Sequence, residues 1–215
     1  MMSMNERVEI VLGHAEFLAD EAADAGCYHL TDRLRLQASR VAIDKEIVEH
    51  ALLTVARTRR RRADTLVQLK ALNQRLGLEL SSCCPADEAA AFLASARLNA
   101  IATARFRLRR LSEQRPPGLQ TVIDDVTEGL RTAELAEDEH MAAVASEFIA
   151  RARCNGRQAK LRGECERAKA ELLGVLSPMS PAAERVRSRV VRTRRPSSAT
   201  SWPPPTTLEG APVDG

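Results

Sequence analysis

Residues 31–80 read TDRLRLQASRVAIDKEIVEHALLTVARTRRRRADTLVQLKALNQRLGLEL, and this stretch decides the fold. Apolar side chains recur in it every seven residues, which keeps one seam of a helix turned toward a partner and is typical of coiled coils and long helical hairpins. Thr31, followed by Asp32, is a candidate N-cap. The stretch therefore predicts one long helix over about 31–80. The ladder consists of Leu34, Val41, Val48, Val55, Arg62, Leu69 and Leu76.

Arg62 is the one defect in this ladder, and it belongs to a basic run over 57–62. The seam is expected to open or shift there, or the arginine must extend its charged end to solvent. A second basic cluster lies at 105–110, near the end of a predicted helix over 87–114. The expected hairpin pairs 31–80 with 87–114.

Prolines and glycines mark the other boundaries, because proline interrupts a helix. A helix over 5–24 is predicted to end near Gly26, and another begins near Leu119. Met141, Val144 and Phe148 continue its apolar face. Gly156 and Gly163 predict breaks further on.

No segment alternates like a strand, so the prediction is an all-α fold: a long antiparallel helical hairpin, coiled-coil-like, with further amphipathic helices and a disordered C-terminal tail. The predicted organisation is an N-terminal helix and long hairpin over 1–115, a Pro-Pro-Gly hinge over 116–118, acidic then basic helices over 119–177, a short basic helix candidate over 178–195 and a disordered tail over 196–215.

Composition excludes several function classes. Aromatic residues make up only 3% of the 215 residues, which is unusual for a compact enzyme core. The N-terminus lacks the pattern of a secretory signal, and no stretch is apolar enough to span a bilayer. Five Cys without a CxxC pair and four scattered His suggest reduced thiols and no metal site. We expect a cytoplasmic, non-enzymatic protein without a cofactor.

Charge alternates in blocks along the chain. Residues 1–50 carry a net −5, 51–115 carry +8, 116–150 carry −7 and 151–195 carry +9. Such blocks can neutralise one another if the chain folds back on itself, or they can face different partners. Nucleic acid is the weaker candidate partner, since the basic segments hold few aromatic side chains for base stacking and no groove-reading motif. An anionic membrane surface or an acidic protein segment fits better.

The order of these segments resembles the ESCRT-III family, the charged multivesicular body proteins. The run over 46–72 is similar to the family's alanine–leucine helix ending in consecutive basic residues, and 93–110 looks like the stretch before its linker. Residues 119–143 resemble its acidic fourth helix. The acidic total of residues 1–50 departs from the basic first helix that family members usually have.

The resemblance implies a subunit that polymerises with related helical subunits on anionic endosomal membranes, for membrane remodelling and scission in multivesicular body sorting. An acidic helix would fold back to hold a closed monomer, and a disassembly AAA-ATPase would bind the C-terminal segment. The implied residues are a basic membrane- or partner-binding patch (Arg57, Arg59, Arg60, Arg61, Arg62, Arg105, Arg107, Arg109, Arg110), the hinge (Pro116, Pro117, Gly118), the autoinhibitory helix (Val122, Ile123, Asp124, Asp125, Val126, Glu128) and an ATPase-docking candidate (Val186, Arg189, Val190, Arg194).

Two other functions fit the same pattern. The first is a coiled-coil structural subunit of a hetero-oligomeric scaffold or tethering complex, whose heptads would bury a seam against different chains. The second is a basic helical protein that binds nucleic acid, which would require binding that weakens steeply with salt.

Overall fold

The structure, a computed structural model, describes residues 2–83, 85, 90, 99–114 and 118–189. Over these residues it consists of five α-helices and contains no strand, so the predicted all-α class is confirmed. The helices are α1 (Met4–Asp24), α2 (Tyr28–Cys83), α3 (Ala100–Gln114), α4 (Gln120–Val175) and α5 (Pro181–Ser188). The predicted tail over 196–215 lies outside the described residues.

Helix α1 has the predicted extent and lies antiparallel to α2. Ser3 and Glu6 form a capping box at its start, and Gly26 allows the reversal after it with a φ of 72° that favours glycine. The predicted N-cap at Thr31 is wrong, because α2 already begins at Tyr28. The Thr31 hydroxyl instead donates to the Ala19 carbonyl of α1 at 3.1 Å.

Helices α2 and α4 form the long antiparallel hairpin. Each has 56 residues, which corresponds to a length of about 84 Å. Three contacts show one register from end to end: Arg33 Nη2–Glu171 Oε1 at 2.9 Å, Thr58 Oγ1–His140 Nδ1 at 3.2 Å and Arg75 Nη1–Asp125 Oδ2 at 3.2 Å. The seven-residue ladder lies in the seam, where Leu34, Val41, Val48, Leu69 and Leu76 are fully buried.

The partner of α2 in this hairpin is α4, and not the segment 87–114 expected from the sequence. Asn99 interrupts that segment, since its side chain accepts from the Ala102 amide at 2.8 Å and caps α3. Only five residues connect α3 to α4, and Arg105 Nη2 lies 2.6 Å from Oε1 of Glu134, 14 residues beyond the start of α4. Helix α3 therefore runs antiparallel to α4 and parallel to α2. Residues 86–89 and 91–98 lie outside the described residues. The uninterrupted apolar seam of α4 is nearly four times as long as α3, which explains the choice of partner.

Helix α4 continues through Gly156 and Gly163, where the sequence predicted breaks. Both glycines lie on its exposed side. Before, between and after them, Cys154, Leu161 and Cys165 are buried against the other helices. This tertiary packing outweighs the cost of about 1 kcal/mol that glycine adds to a helix interior.

The hairpin carries one apolar core at each end. The first lies beneath α1 and α5, and the second lies beneath α3. Helix α5 is capped by Ser180 and is held to α1 by Arg185, which donates to the Glu21 carboxylate at 2.7 and 2.9 Å. It ends at Ser188, earlier than the predicted 195, and residues 190–195 lie outside the described residues.

Candidate functional site

The basic run of α2 divides into paired and unpaired arginines. Arg61 Nη1 lies 2.7 Å from Glu139 Oε2, and Arg62 pairs with Glu137, so both bridge to α4. The Arg62 side chain leaves the seam to make this pair, one of the two arrangements expected from the sequence. The other three, Arg57, Arg59 and Arg60, are exposed. No hydrogen bond or ion pair links them to another described residue.

The second basic cluster does not form one surface with the first. Arg107 is buried and donates to the Asn73 carbonyl, and its burial lowers the pKa of the guanidinium. It therefore joins α3 to α2 and is removed from the predicted patch. Arg105 pairs with Glu134. Arg109 and Arg110 are exposed, with the Arg110 guanidinium 5.2 Å from the Phe106 ring centroid.

The predicted acidic helix is the first part of α4. Val122 and Val126 are buried in the second core and Ile123 is half-buried beside them. Three acidic side chains lie at its surface: Asp125 pairs with Arg75, Asp124 accepts from Gln120 Nε2 at 2.8 Å, and Glu128 lies 4.0 Å from Arg131. This segment thus lies against the basic half of α2 as part of one continuous helix.

The predicted hinge and docking residues are described only in part. Gly118 has a φ of 91°, which suits a turn into α4, whereas Pro116 and Pro117 lie outside the described residues. Val186 is buried in the first core, and the Arg189 guanidinium lies 4.5 Å from the Phe17 ring centroid. Val190 and Arg194 lie outside the described residues.

The alternating charge blocks face one another across the hairpin. Besides the pairs between basic α2 and acidic α4, the basic end of α4 meets the acidic start of the chain. Asp44 in the seam is buried between Arg153 and Arg157, whose Nε atoms lie 3.0 and 3.1 Å from its two oxygens. Its place three residues after Val41, within the apolar seam, was the available sign of this pair, and sequence reasoning missed it.

The middle of the hairpin, which we call the waist (residues 52–64 of α2 and 137–149 of α4), lies between the two cores. Sequence periodicity placed three residues of the waist, Met141, Val144 and Phe148, on the apolar face of α4. The structure leaves them exposed, because neither α1 nor α3 reaches them. The exposed large apolar side chains of the waist are Leu52, Leu53, Met141, Val144, Phe148 and Ile149.

A histidine and a cysteine elsewhere in the described residues are buried at separate places. Burial lowers the pKa of His14 and raises the pKa of the Cys165 thiol to about 12. Among the described residues, no three His, Cys, Asp or Glu side chains converge as a metal site would require. None of the described helices combines the length and the apolar character needed to cross a membrane.

A scan against protein-family models finds no match to the chain, and searches of curated proteins and of solved structures find none either. The waist, with its exposed apolar side chains and unpaired arginines, is the feature of the described surface that most needs a functional explanation.

Proposed function

We propose that the protein is a non-enzymatic structural subunit of a helical assembly, in which the α2–α4 hairpin acts as a rod that binds helices of other chains. The observation that carries this proposal is the waist, where six large apolar side chains are exposed between two self-contained cores. Large apolar side chains exposed together in one part of a protein mark protein or membrane contacts.

The energetics favour a bound partner. Fully burying a Val, Leu, Ile, Phe or Met side chain contributes about 1.5–3 kcal/mol. Even partial burial of the six would therefore offset much of the cost of association. The charged surface contributes less, because most ion pairs across the hairpin are solvent-exposed and such pairs are worth about 0–1 kcal/mol each.

A second candidate is the ESCRT-III-like function, polymerisation on anionic endosomal membrane with a disassembly ATPase. The observation that favours it is that the unpaired Arg57 and Arg60 follow the exposed Leu53 by four and seven residues and so share its face of α2, since cations beside apolar side chains suit an anionic lipid surface. We place it second because its acidic helix is here the first half of the continuous helix α4. Detaching residues 119–149 would expose the second core.

Co-purification of the tagged full-length chain separates the two candidates. A scaffold subunit is expected to recover the same partners at fixed stoichiometry with and without phosphatidylserine liposomes. Flotation with those liposomes, abolished by R57E/R59E/R60E, would instead favour the membrane function. A chain that sediments as a monomer, recovers no stoichiometric partner and ignores liposomes would contradict both.

A further inference from the structure

Helices α1 and α3 lie along the same side of α2, with a gap between them that none of the described residues fills. Helix α1 contacts α2 through Arg35, which pairs with Asp20, and through Glu49, which accepts from Asn5. Helix α3 contacts it at Leu66 and Asn73. Positions spaced three or four apart share a helix face. Between Glu49 and Leu66, the positions of α2 with this spacing are Leu52, Ala56, Arg59 and Ala63, and all four are exposed.

The opposite wall of the gap is formed by α4. Glu134 pairs with Arg105 of α3, while the pKa of Arg162 is lowered by burial and, to a smaller extent, by the charge of Arg7 of α1. Residues 134 and 162 are four heptads apart, so the positions at seven-residue steps between them face the same side. Two of these are Met141 and Phe148, which are 58% and 72% exposed. We call this gap, bounded by α1 and α3, the slot.

The slot has the dimensions of one helix. From Glu49 to Leu66 it spans about 17 residues of α2, or about 25 Å. Helix α1 closes one end of the slot and α3 closes the other. Each of these helices packs against both α2 and α4, as a helix bound in the slot would. A second copy of the hairpin would bring its own α1 and α3 against these blocks, so the shape fits a single helical segment.

The charges at the slot favour an acidic segment. Arg59 lies on its α2 wall. Arg60 lies on its rim, seven residues before Val67 of α2, which lines a pocket with the first residues of α3. These two unpaired arginines outnumber Asp138, the acidic side chain at that end of the slot that pairs with no described residue. The N-terminus of α3 also points into the slot, because α3 runs parallel to α2, whereas the N-terminus of α1 is capped by Glu6 and lies beside Glu49. Helix N-termini carry partial positive charge.

We propose that the slot binds an acidic amphipathic helix of about four turns from a partner chain, which completes a three-helix bundle at the waist. The apolar face of that helix would cover Met141, Val144 and Phe148, and its acidic edge would pair with Arg59. This inference rests on the proposed function and names the class of partner that the rod binds.

Site-specific photo-cross-linking in the cells that express the chain tests it. The photoreactive p-benzoylphenylalanine replaces Phe148 in one full-length variant and Ile149 in the other. Ile149 is a matched control, because it is 67% exposed but lies about 100° further round α4, away from the slot. Arg59→Glu and Arg57→Glu form a second matched pair, since Arg57 is equally unpaired but points to another side of α2. Circular dichroism confirms that all four variants fold.

The expected result is a cross-link from position 148 to a segment of another protein with an acidic amphipathic helical sequence, and none from position 149 to that segment. Arg59→Glu should lower the yield about tenfold or more, equivalent to about 1.4 kcal/mol, and Arg57→Glu less than about twofold. Cross-links from 148 only within the chain or to a second copy would overturn the inference. If position 148 gives no cross-link but the chain still recovers stoichiometric partners, the slot is not a binding site, although the scaffold function stands. A chain that purifies alone, with no cross-link from either position, would overturn both.

Discussion

Arg157 reaches across the hairpin to Asp44, its Nη1 donating to Asp44 Oδ1 at 3.1 Å within a mostly apolar seam. The carboxylate is almost fully buried, whereas the Arg157 side chain keeps a third of its surface in solvent. Because a charged residue in a seam is satisfied in only one alignment, this pair fixes the register of α2 against α4.

Asp44→Ala should lower the free energy of unfolding by about 2 kcal/mol, because the two guanidiniums lose their shared partner but stay hydrated in part. Asp44→Leu should restore stability to within about 1 kcal/mol of the natural chain by closing the apolar seam, while allowing alternative registers or oligomers. Urea unfolding and analytical ultracentrifugation measure both effects. An Asp44→Ala chain as stable as the natural one would show that the pair has no role in the hairpin.

Glycine-to-alanine substitutions should have opposite effects on stability in the interior of α4 and in the turn between α1 and α2. Gly156→Ala and Gly163→Ala are each expected to stabilise the protein by about 0.5–1 kcal/mol, since an added Cβ meets no atom within 4 Å and alanine favours helix. Gly26→Ala should destabilise it by about 1 kcal/mol, because φ is positive there. Thermal unfolding measures all three. Destabilisation by the α4 substitutions would mean that α4 is broken at these glycines.

His14 should make stability depend on pH. Desolvation lowers its pKa in the folded state, with Glu166, Lys169 and Arg189 as the charged groups around it. The unfolded chain therefore takes up the proton more readily. This contribution to stability is intact above the unfolded pKa of about 6.5 and declines as the pH falls below it, by at most about 1.4 kcal/mol per pH unit.

His14→Gln removes this titration, so its free energy of unfolding should fall less between pH 7 and pH 5 than that of the natural chain. Chemical denaturation at several pH values gives the comparison. Identical slopes for the two proteins would contradict the burial of an uncharged imidazole at this position.

The buried thiols should resist alkylation. Burial raises the pKa of Cys165 to about 12 and also raises that of Cys154, so at pH 8 only about one Cys165 in ten thousand is the reactive thiolate. We expect iodoacetamide to leave both unmodified in the folded chain and to modify both in guanidinium chloride. Peptide mass spectrometry measures the labelling, and rapid labelling of native Cys165 would contradict its place in the core.

The periodic parts of the fold could be predicted from the sequence. The ladder from Leu34 to Leu76 predicted a long helix with a buried seam, and the bounds of α1 were predicted to within one residue. The partner of α2 could not be predicted, because the seams of 87–114 and of α4 show similar local spacing. Only the continuity of α4 through Gly156 and Gly163, which depends on tertiary packing, makes it the longer partner.

The candidate site was harder to predict, because it too depends on tertiary packing. Met141, Val144 and Phe148 have the spacing of core residues, and their exposure follows only from where α1 and α3 end. The basic run is evident in the sequence. Which of its arginines are paired depends on the register of α2 with Glu137 and Glu139 of α4.

Disulfide trapping of the hairpin register tests whether α2 pairs with α4 and leaves the slot between α1 and α3. In a full-length chain with its five cysteines replaced by alanine, Thr58→Cys with His140→Cys should oxidise to an intrachain disulfide, since Thr58 Oγ1 and His140 Nδ1 lie 3.2 Å apart. Thr58→Cys with Arg109→Cys should not, because α3 runs parallel to α2 and begins beyond the waist. A disulfide in the second pair and none in the first would show that α2 folds against 87–114, and would contradict this structure of the protein.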